Sequence, residues 1–494
     1  MRAIAEFKRG IQSEFSARLV GSIASALTIV FLARFLGSEQ FGLLFLAISV
    51  LSIISVVGEL GIGKSTGRYI SEYKEEEPGQ VYHIIKYGIL INTMLLVAVT
   101  GGVLLTAGHI ATFVGEPDLE LLLLAGIAYL VAHALFKFVR YTFQGLQQIK
   151  TGAVLKIVNR VCRLVFVVVL VFVGYQALGG LIGYVLSFLV AAVVGFGILA
   201  STLVSNYTFS EQSQNGIARR IAEYSLPLTL TRGSKKIIKE LDIFLIGFFL
   251  TPAAVGYYKV SKQVISFTQL PASTMGYSLS PAFSGKKAAG AIEQASELYE
   301  ETLTYTLLLY LPGAIGLILV AEPVIQLFFG TEYSSAVPVL QILAVFTLFQ
   351  AITHVTSGGL DYLGRATHRA ILKGVSSVGN VILNLLLIPR FGIIGAAIAT
   401  VVTYGCYTLG NVSIMGLELN IRLGYFARTL AKIALMTTGM AAAVLGVQAV
   451  TDGIVALVAS IGTGVVVCAV FSLLFGLVDR SEITPNRFQQ SQAD

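Results

Sequence analysis

Long apolar runs of about twenty residues recur along the whole chain, separated by short polar breaks. Crossing ~30 Å of hydrocarbon takes ~20 apolar residues at the 1.5 Å rise of a helix. The runs fall near 15–36, 41–63, 83–107, 119–140, 153–174, 179–203, 223–250, 254–283, 303–322, 336–360, 370–388, 392–414, 426–450 and 454–477, fourteen in all. Inside lipid the backbone has no water to bond to, so each run is predicted to be a helix. Ahead of the first run, Ile4, Phe7, Ile11 and Phe15 recur at helical spacing and predict a short interfacial lead-in helix. The expected fold class is an all-α integral membrane protein with about 14 transmembrane helices.

Composition agrees with that pattern. A mean hydropathy of +0.81, 55% hydrophobic residues and only 12% charged residues exclude an ordinary soluble domain. Charge then sets the orientation. With the N-terminus inside, 30 of the 34 Lys and Arg fall on inner segments, leaving only Arg34, Lys259, Lys262 and Arg390 outside. This bias predicts that both termini are cytoplasmic and that the number of spans is even. The net charge of +7 is thus mainly a topology signal. No basic arm with interleaved aromatics points to nucleic acid, and none is expected as a partner. Arg2, Lys8 and Arg9 precede an apolar run as in a secretory signal, but the run is span-length and lacks a small-residue cleavage site, so it is read as a span. Cys162, Cys406 and Cys468 lie inside spans without metal-ligand spacing, and the five His are scattered. The sequons at Asn206 and Asn411 fall in an inner loop and a span, and are read as chance.

The chain also repeats itself. Phe35-Leu36 with Phe41-Gly42-Leu43 matches Phe249-Leu250 with Val255-Gly256-Tyr257 at an offset of 214. Ala153-Val-Leu-Lys156 matches Ala370-Ile-Leu-Lys373 at 217, and Gly180-Leu-Ile-Gly183 matches Gly392-Ile-Ile-Gly395 at 212. Apolar composition alone produces chance matches, but three motifs in one order weigh against that origin. Six spans per half return the chain to its starting side, so two parallel six-helix lobes are expected, with two further C-terminal helices. The corresponding domains are 1–218, 219–415 and 416–494.

Ionisable groups at membrane depth are costly and mark function by default. Span seven is the outlier. Counting ~20 residues back from Leu250 leaves Arg232, Lys235, Lys236 and Lys239 in or at the edge of the hydrocarbon, within an arc of roughly 100° at 100° per residue. Such a stripe cannot face lipid. It lines water or an anion, or else the helix projects beyond the bilayer with its cations solvated or snorkelling. Glu240 and Asp242 flank the stripe, too few to neutralise it. Arg18 is the repeat mate of Arg232 at an offset of 214; it either faces the shared interface or pairs with Glu14 one turn earlier. Lys259 and Lys262 share one face of span eight, as receivers of an anion on the outer side or as interfacial anchors. His133, Lys137, Arg140 and Lys156 add cations that the orientation bias explains, whereas Arg160 and Arg163 lie deep enough in span five to be functional. Glu59 in span two either balances a cation or caps the helix end, the latter favoured; Asp242 is taken as a second balancing charge.

Gly58-Glu-Leu-Gly-Ile-Gly63-Lys64-Ser65 fits the phosphate-loop pattern G-x-x-x-x-G-K-S/T. That loop works between a β-strand and a helix, where backbone N–H groups cradle phosphates. Here a membrane span precedes it, so nucleotide binding is rejected and the glycines are read as the end of span two. No nucleophile arrangement, carboxylate pair or reactive thiol of catalytic type is visible. No enzyme activity, metal or cofactor is expected.

Several motifs nevertheless carry a resemblance. They are Ala33-Arg34-Phe-Leu-Gly37 with Phe41-Gly42, Glu59-Leu-Gly61 with Arg68-Tyr-Ile-Ser-Glu72, Tyr224-Ser-Leu-Pro227, Leu241-Asp242 with Ile246-Gly247, and Val255-Gly256-Tyr257. In this order and spacing the chain resembles the multidrug/oligosaccharidyl-lipid/polysaccharide exporter superfamily, in its branch of lipid-linked oligosaccharide flippases. The resemblance implies a V-shaped pair of lobes around a central cavity in the cell membrane. It implies passage of a polyprenyl-(di)phosphate-linked glycan from the cytoplasmic to the outer leaflet, with membrane lipid and glycan-assembly enzymes as partners. It also implies that cavity cations hold the phosphate. By position these are Arg18 and Arg232 first, then Lys235, Lys236 and Lys239, with Lys262, Arg160 and Arg163 behind them. Two rivals remain. A MATE-like, cation-coupled multidrug antiporter would want buried acids in its cavity, and 15–36 contains none. A membrane glycan polymerase or glycosyltransferase would want a large extramembrane loop or an acidic catalytic pair.

Overall fold

Long uninterrupted helices are what an apolar chain builds when its backbone must satisfy itself. The structure, a computed structural model, describes residues 2–206, 214, 216–269, 292–419 and 422–477, with side chains described from Gly21 onward except at 206, 230–232, 362, 423 and 425. Among these residues all regular structure is helical. The helices are α1 (Arg2–Glu59), α2 (Ile62–Glu76), α3 (Gln80–Val114), α4 (Asp118–Gly145), α5 (Ile149–Phe172), α6 (Gln176–Asn206), α7 (Ile217–Phe249) and α8 (Pro252–Thr268). After the undescribed stretch come α9 (Ile292–Leu319), α10 (Ala321–Phe329), a 3-10 turn at Thr331–Ala336, α11 (Val337–Tyr362), α12 (Ala366–Glu418), α13 (Leu423–Gln448) and α14 (Gly453–Leu474).

Nine helices among the described residues are long and apolar enough to cross a membrane. Two of them are double: α1 is broken at Gly37 and α12 at Gly392, each supplying two spans. Helices α5, α7 and α8 complete the set; the first two carry too many charges for a purely apolar criterion, and α8, of 17 residues, falls just short in length. Each of the fourteen expected spans therefore falls on helix within the described residues, the eighth as far as Thr268. This is a multi-pass membrane protein.

Two of the departures from the expected boundaries bear on the site. The lead-in segment is not separate, because α1 runs from Arg2 to Gly37 without a break. Span two ends at Glu59, four residues early, and an unexpected amphipathic helix, α2, follows it. Only Lys74 and its neighbours were legible as an inner loop there, since six buried residues of α2 are mixed with charges and give no span-length run.

The chain packs as two compact units, Met1–Lys259 and Val260–Asp494. Helix α7, which the repeat count assigns to the second half, packs on α1, α2 and α3 within the first unit. In the second unit α9 packs on α11 and α13, and α13 on α14.

Two sets of contacts fall at the spacing of the expected repeat. In the first unit Asn159 Nδ2 donates to Ser187 Oγ across the α5–α6 hairpin at 3.2 Å. In the second, Ser376 Oγ donates to the Thr403 carbonyl across the two arms of α12 at 2.8 Å. The paired positions lie 217 and 216 residues apart, and the hairpins turn at Gly174 (φ 100) and Gly392 (φ 61). A second correspondence links Gly42 on α1 and Gly256 on α8, mates at 214. A Cβ at Gly42 would meet the Pro252 carbonyl oxygen at 1.6 Å, and one at Gly256 would meet the Ser38 carbonyl oxygen at 2.6 Å. Ser38 and Pro252 are themselves 214 apart, so the contact is reciprocal, as around a local two-fold axis.

Candidate functional site

The first unit contains a cavity of about 110 Å³ where the end of α1 meets α2, α4 and α7. The backbone makes the opening. Helix α1 stops at Glu59 because Leu60 (φ 35) and Gly61 (φ 68) turn left-handed, a conformation that glycine adopts without the Cβ penalty. Helix α2 starts at once, with no side chain capping it; the Lys64 and Ser65 amides return to the Gly61 carbonyl at 3.1 and 3.0 Å. Side chains then fix α2 to α7. Ser65 Oγ donates to the Ile221 carbonyl at 2.9 Å, and the Arg68 guanidinium lies 4.0 Å over the Tyr224 ring.

Three ammonium groups and one carboxylate line this cavity: Lys64, Lys137, Lys236 and Glu59, beside Asn92 and Tyr141. Lys137 Nζ donates to Glu59 Oε2 at 2.5 Å, and His133 Nδ1, one helical turn before Lys137, lies 3.0 Å from Glu59 Oε1. Lys236 Nζ donates to Ser55 Oγ at 2.6 Å, one turn before Glu59. The Lys137 and Glu59 side chains are 24% and 19% exposed, so the pair is only partly screened by water. The lining carries an excess of positive charge, and small anions fit it chemically.

The opposite end of the second arm of α1 is acidic. There Glu39, Glu116 and Asp118 stand near one another. Burial, then the Glu39 and Asp118 carboxylates, raise the Glu116 carboxyl above its ordinary range.

The residues expected to act together separate into groups. Lys236 and Glu59 line the cavity. Lys235 and Lys239 are exposed on α7. Arg160 Nη1 donates to the Gly21 carbonyl at 2.7 Å and ties α5 to α1. Arg163 Nη2 donates to Asn159 Oδ1 at 2.8 Å and lies 4.3 Å over the Tyr184 ring, within the α5–α6 hairpin. Asp242 is buried and accepts from the Tyr258 hydroxyl at 3.2 Å. Lys259 Nζ sits 4.5 Å over the Phe45 ring, and Lys262 is half-buried in the second unit. The Arg18 and Arg232 side chains lie outside the described residues.

Sequence reasoning set His133, Lys137 and Lys64 aside as orientation charges and as part of a rejected motif. One signal was present: His133 and Lys137 are four residues apart on one face of a span, in a chain with few span acids. Their partner Glu59 lies 78 residues from Lys137 in sequence, and no local pattern links them. The rejected phosphate-loop sequence sits between α1 and α2, helix on both sides. Among the described residues no group of three His, Cys, Asp or Glu is placed to hold a metal ion, and the three cysteines are free.

Residues 7–287 match the family described as polysaccharide biosynthesis protein, and residues 227–386 match the MatE family. The probable low-salt glycan biosynthesis flippase Agl15 of Haloferax volcanii is 24% identical over 411 residues, covering 83% of this chain and 84% of that one. Among solved structures, the lipid II flippase MurJ in an inward closed conformation shares the fold with a TM-score of 0.73 at 16% identity, over 94% of this chain and 98% of that one. The inward-facing conformation of a multidrug resistance MATE family transporter of the MOP superfamily follows at 0.65 and 15% identity, over 81% and 95%.

Proposed function

From the premise that the chain belongs to the polysaccharide biosynthesis protein family, in the polysaccharide branch of the multidrug/oligosaccharidyl-lipid/polysaccharide exporter superfamily, we propose that it is a flippase for a lipid-linked glycan. Its substrate is a polyprenyl-(di)phosphate-linked oligosaccharide, moved from the cytoplasmic to the outer leaflet of the cell membrane by alternating access. It acts without catalytic chemistry, with both termini cytoplasmic, and hands its product to glycan-assembly enzymes. The named relative supports this reading, being itself called a probable glycan biosynthesis flippase.

The observation that carries the proposal is the cavity lined by Lys64, Lys137 and Lys236 against the single carboxylate of Glu59. Glycan hydroxyls lose their water partners in hydrocarbon and need a hydrated path, while the prenyl tail stays in lipid. Phosphate oxygens need charged donors, which Lys and Arg supply in different geometries. We assign the row Arg232, Lys235, Lys236 and Lys239 of α7, with Arg18 of α1, to the same route by sequence position. An excess of positive charge disfavours organic cations, the cargo of a multidrug antiporter. In a strain lacking the protein, lipid-linked glycan is expected to strand on the cytoplasmic leaflet and surface glycan to vanish. Arg232→Glu should reproduce that loss while the protein still inserts. Normal surface glycan in the deletion strain would refute the transport reading.

A further inference from the structure

The cavity that the proposed function uses for phosphate is already occupied, in part, by the chain's own carboxylate. Glu59 ends α1 with Oε2 on the Lys137 ammonium at 2.5 Å and Oε1 3.0 Å from His133 Nδ1. Lys236 lines the same cavity from α7 and donates its hydrogen bond to the Ser55 hydroxyl, with the Glu59 and Glu240 carboxylates close enough to act on its charge. Together these contacts give Lys137 a charged partner and leave the cavity with more ammonium groups than carboxylates.

Resting on the phosphate reading of this cavity, we infer that Glu59 is an exchangeable internal counter-ion: it holds the Lys137 ammonium when the cavity is empty and is displaced by the incoming phosphate group. The physical reason is competition for the same donors. A carboxylate has two acceptor oxygens and one charge; the diphosphate of a lipid-linked glycan, esterified at both ends, brings more non-bridging acceptor oxygens and a second charge. At the partly buried depth of this pair, leaving Lys137 without an anion is costly, so an empty cavity needs a resident acid. A bound diphosphate is then opposed by the displaced Glu59 carboxylate a few ångströms away. That opposition weakens binding, and it favours release once the cargo has crossed. Glu59 thereby sets affinity against turnover. It is a positioning residue for Lys137, and it discriminates against ligands too weakly charged to displace it.

The test is binding of inorganic pyrophosphate and of farnesyl diphosphate to the purified full chain, by isothermal titration calorimetry. Glu59→Gln removes the competing charge and should bind both probes about tenfold more tightly than the unaltered chain. Glu59→Asp keeps the charge but draws it back by one methylene, and should fall between the two. Because Glu59→Gln also removes an ion pair, Glu59→Asp decides the matter if the first variant does not fold. Lys137→Gln and Lys236→Gln should each weaken binding about tenfold. If the Glu59 variants bind no more tightly than the unaltered chain while the lysine variants still weaken binding, the counter-ion role is overturned and the phosphate cavity stands. If the unaltered chain binds neither probe, or if neither lysine variant changes affinity, the phosphate cavity falls and the counter-ion role with it.

Discussion

Lys137 and Lys236 line one cavity yet differ in what they leave behind when removed. Lys137→Gln strands the Glu59 carboxylate without its ammonium, and a half-buried pair of this kind is worth about 1–2 kcal/mol once solvent screening is allowed for. Lys236→Gln leaves the Ser55 hydroxyl, which a glutamine amide can still engage, so its cost should be a few tenths of that. Denaturation of the two variants in matched detergent should show the larger loss at Lys137, and Glu59→Gln added to Lys137→Gln should restore part of it. Equal losses would mean that the Glu59–Lys137 contact is not stabilising. Glu116 offers a pH test outside the spans. Its carboxyl is raised in the folded chain, so the fold favours the protonated form, and that contribution disappears as pH rises through the folded value. Glu116→Gln should therefore melt higher than the unaltered chain at pH 7, and the two should converge below about pH 4. A gap that persists at low pH would assign the effect to packing instead of charge.

At the scale of helices, the apolar runs were nearly a complete guide. Among the described residues each expected span falls on a helix because lipid leaves an apolar backbone one alternative, whereas α2 was missed because its buried face is interrupted by Lys74, Arg68 and Glu72. The repeat was legible through short glycine motifs, and the crossing of α1 and α8 explains why glycines survived in them: backbone approaches backbone there, and a side chain has no room. Gly42→Ala would put a methyl 1.6 Å from the Pro252 carbonyl oxygen, and Gly256→Ala one 2.6 Å from that of Ser38. Neither carbonyl can rotate away without breaking its helix. Both substitutions should sharply reduce the yield of monodisperse protein, while Gly101→Ala, which meets nothing within 4 Å, should be silent. The cavity was less legible than the helices. Its cations were visible, but the partners that organise them come from α1, α4 and α7, brought together only by packing.

For the whole molecule, transport direction depends on which end of the bundle faces the cytoplasm. The proposed orientation has the end bearing Lys64, Lys137 and Lys236 inside, since moving 30 of 34 cations to the outer face would oppose the insertion preference for Lys and Arg on cytoplasmic loops. The acidic cluster of Glu39, Glu116 and Asp118 then lies outside, where it would hinder the return of an anionic headgroup. Orientation and mechanism stand together, since a reversed molecule would offer its lysines to the wrong leaflet. The check is cysteine labelling in a chain whose Cys162, Cys406 and Cys468 have been replaced. Cysteines at Tyr175 and Val450, which are 53% and 85% exposed at turns between spans, should react with a membrane-impermeant maleimide in intact cells. A cysteine at exposed Glu76, at the end of α2, should react only after permeabilisation. The reverse pattern would place the lysine cavity on the outer face and remove its access to a substrate made in the cytoplasm.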